Sequence, residues 1–206
     1  LAAQLEAHDA AQEIADPLPQ DAGKNIGFRP TDHPNCSAIL WDNLERNPHA
    51  VAVTGPAGTL TYRDLIAEAS RWGHAFHRFG CRPGERIAYL LDDTPALPAA
   101  IIGAVRAGYV PVLLNIQTPA NTVRFFVEDS GARLAVTDAD LVPLFSEDMC
   151  SATGLERVVA VGLSGPRGAV RFLQGMPTEL DVAPTGPDDM AFWMYSSGST
   201  GRPKGI

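Results

Sequence analysis

The chain has 206 residues, 45% of them hydrophobic and 19% charged, enough apolar material for a medium domain with a sizeable core. A formal net charge of −8 argues against nucleic acid or an anionic membrane as the main partner, while leaving room for a local cationic pocket. Cys36, Cys81 and Cys150 are widely spaced and odd in number, which points to neither a disulfide framework nor a metal-binding spacing.

Residues 1–34 are polar and Ala-rich, broken by Pro17, Pro19, Pro30 and Pro34, and read as a short helix followed by an irregular arm. They lack the basic start and apolar run of a signal peptide, so a cytoplasmic protein is expected. From Asn35 the pattern tightens. Ile39, Leu40 and Leu44 share one helical face, and Pro48 follows its end. The stretch AVAVTGPAGTLTY predicts two short strands around a Gly-Pro-Ala-Gly turn. A helix follows, with Thr61 and Asp64 spaced as a capping box, Leu65, Ala69, Trp72, Phe76 and Phe79 at helical intervals, and Gly80 suited to a left-handed end.

A regular alternation comes next. RIAYLL, YVPVLLN, RLAVTD and RVVAVG read as strands. The segments ending at Gly108 and Gly131 read as helices, and LVPLFSED is expected to be helical. Strands alternating with helices imply an α/β fold with a mostly parallel sheet flanked by helices on both faces. The long apolar stretch 97–116 is too interrupted by Arg106, Gly108 and Pro111 for a membrane span and reads as a buried helix and strand. Residues 162–189, rich in Gly and Pro, form a connecting excursion, after which MAFWMYS is a further strand.

That strand runs directly into SGSTGRPKGI. A loop of Gly, Ser and Thr offers many backbone N–H groups and hydroxyls with little bulk, and consecutive N–H groups can line a concave anion site. A nearby Lys adds full charge, so phosphate is the expected guest. The pattern fails as a Walker loop. Counted from Gly198, the second glycine position holds Pro203, which has no N–H, and Gly205 replaces the Ser or Thr after Lys204. A plain Gly/Ser linker would be repetitive and would not end in Arg-Pro-Lys-Gly.

Residues 195–205, YSSGSTGRPKG, resemble the phosphate-binding signature of the adenylate-forming superfamily, which comprises acyl- and aryl-CoA synthetases, peptide-synthetase adenylation domains and luciferases. GAVRAGYVPVLLN at 103–115 and LTYRDL at 60–65 resemble two further segments of that superfamily, in the same order. FWMYSSGSTGRPKG is most similar to benzoate- and 4-hydroxybenzoate-CoA ligases. The resemblance covers 35–206, with 1–34 outside it. It implies the amino-terminal portion of an AMP-binding domain, ATP and Mg2+ as cofactors, coenzyme A as co-substrate, and an aromatic carboxylic acid as partner. A homodimer is compatible with it.

Carried over by motif, Ser196, Ser197, Ser199 and Thr200 offer hydroxyls and N–H groups to the ATP phosphates. Gly198, Gly201 and Gly205 let the backbone approach, Lys204 supplies charge, and Thr200 lies nearest Mg2+. Tyr195 is expected to pack at the strand end rather than touch ATP. The family's catalytic residues are expected after Ile206, so these 206 residues alone are expected not to catalyse, and the last strand is expected to leave an apolar edge. An amino-acid-activating adenylation domain and a short non-catalytic nucleotide-binding protein are the alternatives.

Other pairs attract less weight. His74 and His77 sit three apart on a helix with no third ligand in view. Asp92-Asp93 and Asp188-Asp189 suit loop or capping roles, and GLSGPRG at 162–168 has the wrong spacing for a dinucleotide loop.

Overall fold

The computed structural model describes residues 35–55, 57–163, 167–196 and 202–206; the side chains of Ile39 and Asp42 fall outside that description. Helix α1 (Ala38–Arg46) leads into strands β1 (Val51–Gly55) and β2 (Gly58–Thr61), which pair antiparallel as a separate two-stranded sheet. Helix α2 (Tyr62–Arg78) starts at the expected capping box: the Asp64 N–H donates to the Thr61 hydroxyl at 3.2 Å, and the Thr61 N–H donates back to the Asp64 carboxylate at 3.2 Å. Gly80, Gly108 and Gly131, at φ of 87°, 81° and 61°, take the left-handed turns after α2, α3 (Ala96–Arg106) and α4 (Ala120–Ser130), as the sequence predicts.

The main sheet has the strand order β6 (Arg157–Val161), β5 (Leu134–Asp138), β3 (Arg86–Leu90), β4 (Val110–Leu113), β7 (Trp193–Ser196), β8 (Lys204–Gly205). Its neighbours from β6 to β7 are parallel, and β8 returns antiparallel to β7. Burial on both faces explains why the central strands do not alternate. On one face Ile87, Tyr89, Leu134, Val136 and Val159 pack with Leu65, Trp72 and Phe76 of α2 and Ala100 and Ala104 of α3. On the other face Ala88, Leu90, Val112 and Ala135 pack with Val123, Phe126 and Val127 of α4 and Met149 of α5 (Glu147–Thr153). Phe79 lies at the margin of the first core, edge-on to Phe172 at 4.8 Å.

Three expectations need correction. The helical stretch read at 141–148 is two elements: a 3-10 helix over Ala139–Leu144 containing Pro143, and then α5, capped afresh when the Met149 N–H donates to the Ser146 hydroxyl. Pro143 has no N–H to continue a longer helix. The strand read over MAFWMYS is shorter, because β4 offers partners only to Trp193 and Met194 and β8 only to Tyr195 and Ser196. β7 thus lies between β4, which pairs with its first half, and β8, which pairs with its second, and the apolar exposure is that of Met194 in β7 and of Met190 and Phe192 just before it, whereas Trp193 and Tyr195 turn towards α4.

The excursion before β7 contains α6 (Ala169–Leu173) and then straps across α2 and α3. Arg106 Nε donates to the Leu180 carbonyl at 2.6 Å, the Ala183 N–H donates to the Arg106 carbonyl at 2.8 Å, and the Arg106 guanidinium lies 3.6 Å over the Trp41 ring. A ring nitrogen of His74 is 2.8 Å from the Glu179 carbonyl, so this histidine holds the strap. Among the described residues no group of three or more His, Cys, Asp or Glu is arranged to hold a metal, and no helix is long and apolar enough to cross a membrane.

Candidate functional site

The parallel strands β3, β4 and β7 end along one side of the sheet. β4 lies on one flank of β3 and β5 on the other, so the winding reverses there, which is the position where open α/β sheets form a crevice for ligands. A cleft of about 440 Å³ opens at those ends, with a floor of Leu91, Leu97, Ile101, Leu113 and Met194 and with Asp92, Asp93 and Asn115 among its lining. The two acidic pairs read in the sequence have loop roles. Asp92 accepts from the Asp93 N–H, its own N–H donates to the Asp138 carboxylate at 2.7 Å, and Asp189 accepts from the Gly186 N–H. Burial, joined by the charges of Asp140 and Asp92, raises the Asp138 carboxyl above its ordinary range.

The Ser/Thr/Gly motif leaves from the end of β7. Tyr195 stands opposite Gly205 and Ser196 opposite Lys204, while Met194 and Ile206 exchange backbone hydrogen bonds of 2.9 and 2.8 Å. Directly opposed residues of an antiparallel pair project from the same face, with Cβ atoms about 5 Å apart. A hydroxyl and an ammonium group therefore flank the root of the loop together, and both residues are exposed. Of the residues singled out for phosphate, Ser196, Lys204 and Gly205 are placed this way. Ser197, Gly198, Ser199, Thr200 and Gly201 lie outside the described residues.

Gly205 has no room for a side chain. A Cβ there would fall 1.8 Å from Nε1 and 2.2 Å from Cε2 of Trp193, so the indole lies directly on the return strand. That Nε1 is buried and has no hydrogen-bond partner among the described residues. Tyr195 packs at the strand end, as expected: its ring stacks on Phe126 with centroids 4.1 Å apart, and its hydroxyl donates to the Asp129 carboxylate at 2.8 Å, 3.3 Å from the Phe126 carbonyl. Burial first, and then Asp129, raises the phenol pKa well above its usual value. The Arg202 guanidinium lies 6.0 Å over Phe125. Neither Asp129 nor Arg202 is singled out by the sequence reading. Asp129 carries no local signal, since it meets Tyr195 across 66 residues. Burial is the largest cause that pushes the three thiols above their ordinary value, Cys81 to about 11, which favours their protonated form.

Residues 40–206 match the family described as "AMP-binding enzyme". The chain is 39% identical over 157 residues to the 3-hydroxybenzoate–CoA ligase of Aromatoleum sp. (strain CIB), covering 75% of this chain and 30% of that protein. It is 37% identical over 152 residues to the 3-hydroxybenzoate–CoA/4-hydroxybenzoate–CoA ligase of Thauera aromatica, covering 72% of this chain and 29% of that protein. Its fold superposes on the anthranilate CoA ligase AuaEII, solved in complex with anthranoyl-AMP, with a TM-score of 0.77 at 28% identity over 84% of this chain and 33% of the other. The chain thus spans about a third of the length of the relatives it matches.

Proposed function

The chain belongs to the AMP-binding enzyme family, and from that premise we propose that the whole protein activates a benzoate-like carboxylic acid with ATP and transfers the acyl group to coenzyme A. Residues 35–206 are then the amino-terminal portion of its AMP-binding domain, and 1–34 an arm outside it. A carboxylate oxygen attacks the α-phosphorus, the bond from that phosphorus to the bridging oxygen breaks, and pyrophosphate leaves. The thiol sulfur next attacks the acyl carbon, AMP departs with the carboxyl-derived oxygen, and the thiol proton is released. A cytoplasmic location, where ATP and coenzyme A are available, goes with this reading.

The observation that carries the proposal is the Ser196–Lys204 pairing at the root of the motif-bearing hairpin, at the carboxyl end of β7. Negative charge grows on the leaving pyrophosphate, and fixed donors with a cation stabilise it where it develops. Lys204 supplies that cation and Ser196 a donor. Ser197, Ser199 and Thr200 add hydroxyls and N–H groups, while Gly198, Gly201 and Gly205 admit the phosphates close to the backbone. Magnesium would arrive on the nucleotide's phosphates and neutralise part of their charge, with Thr200 the side chain expected near it. The aromatic acid is supported by the hydroxybenzoates for which the relatives are named and by the Phe-Trp-x-Tyr-Ser-Ser run at 192–197.

The test is carboxylate-dependent exchange of pyrophosphate into ATP by the longest natural product of the gene, with benzoates, fatty acids and amino acids as substrates. Benzoates are expected to support exchange, and Lys204→Ala to slow it about 100-fold. Exchange with amino acids alone would replace the substrate assignment by the peptide-synthetase type of activation. An unchanged rate in Lys204→Ala would remove Lys204 from the mechanism.

A further inference from the structure

We infer that helix α4 is the platform that sets the position of the phosphate-binding hairpin, with Tyr195 and Asp129 as positioning residues for adenylate formation; the inference rests on the function proposed above. The two roots of the motif are tied to the same helix by different side chains. On the outgoing strand, Tyr195 stacks on Phe126 at 4.1 Å and donates to Asp129 at 2.8 Å. On the return side, Arg202 lies over Phe125, the residue before Phe126 in α4. The strands are also locked to each other, by the Tyr195–Gly205 and Ser196–Lys204 register and by the Trp193 indole lying on Gly205.

One anchor, Tyr195, lies on β7 and the other, Arg202, two residues before β8, and they converge on Phe125, Phe126 and Asp129. A shift of α4 would therefore move both roots together, whereas loss of one anchor would skew the outgoing root against the return root. The Tyr195 hydroxyl reports this arrangement cleanly. It points to α4, on the face of β7 opposite Ser196, so it touches no phosphate in the proposed arrangement. Its bond to a carboxylate is charge-assisted and directional, which stacking alone is not. Stabilisation of a departing pyrophosphate depends on donors held to within about 1 Å, so loosening this anchor weakens the adenylation step while leaving later chemistry alone.

The experiment uses the longest natural product of the gene. Wild type, Tyr195→Phe and Asp129→Leu are compared in two assays: carboxylate-dependent pyrophosphate exchange, and thioester formation from supplied acyl-adenylate and coenzyme A. Asp129→Asn, which keeps an acceptor for the phenol, is the conservative variant. The expected result is an exchange rate lower by about 10-fold in Tyr195→Phe and Asp129→Leu, largely recovered in Asp129→Asn, with thioester formation from the adenylate at the wild-type rate. Wild-type exchange in Tyr195→Phe would overturn the inference. Parallel loss in both assays would also overturn it, since it would show a general structural role. A wild-type protein that exchanges with no acid, fatty acids and amino acids included, would instead overturn the proposed function itself.

Discussion

At Thr61, a hydroxyl and a carboxylate three residues apart close the first turn of α2. The Thr61 hydroxyl donates to Asp64 at 2.6 Å, and this bond, followed by that from the Thr61 N–H, holds the Asp64 carboxyl below its ordinary value. A depressed folded-state pKa contributes stability that is present above the unfolded-state value and lost as pH falls through the folded-state one. Thr61→Ala should therefore cost about 1 kcal/mol at pH 7. The gap from wild type should narrow below about pH 4, as followed by urea unfolding at both pH values. This cap is legible from the sequence because its partners are neighbours in the chain. The Tyr195–Asp129 bond is not, because nothing local to either residue says that a strand end and a helix will meet.

Between elements, α2 and α3 approach each other backbone to backbone. A Cβ on Gly103 would fall 2.2 Å from the Ala69 carbonyl oxygen and 3.0 Å from the Gly73 nitrogen, both backbone atoms that cannot swing aside. Two effects compete in Gly103→Ala. Helix propensity favours alanine by about 1 kcal/mol, and forcing the helices apart opposes it by about 1–3 kcal/mol. The contact is severe enough for the second to win, so a lower urea midpoint is expected; a raised midpoint would show that the helices part freely. Helix existence and order were readable because hydrophobic periodicity and glycine stops are local. The exceptions follow from physics the pattern hides. Pro143 divides the stretch read as one helix, and residues 190–192 stay outside β7 because β4 pairs with it only through Val112 and Leu113. The close contact at Gly103 was invisible too, since a glycine within a helix looks like a cost until its neighbour is known.

For the molecule as a whole, the α/β class was legible and the strand order was not, because alternation says nothing of which strand lies beside which. That order leaves one face of β7 and of the segment entering it bare, with Met194 in the strand 45% and Met190 before it 58% exposed, against 5% for Met149 in the core. Treatment of this 206-residue chain with hydrogen peroxide should oxidise Met190 and Met194 well before Met149, as read by peptide mass spectrometry; equal rates would contradict the bare face. The same order has a kinetic side. β7 reaches β4 only after the chain has passed through β5, β6 and the strap, and it is joined there only through Val112 with Trp193 and Leu113 with Met194. Closing so long a loop for so few ladder bonds is entropically costly, so the hairpin is expected to dock late in folding onto a sheet already assembled. It is also expected to be the first part to come away, and if Ser196 and Lys204 hold a nucleotide as proposed, part of the binding energy goes into keeping that last-formed piece in place.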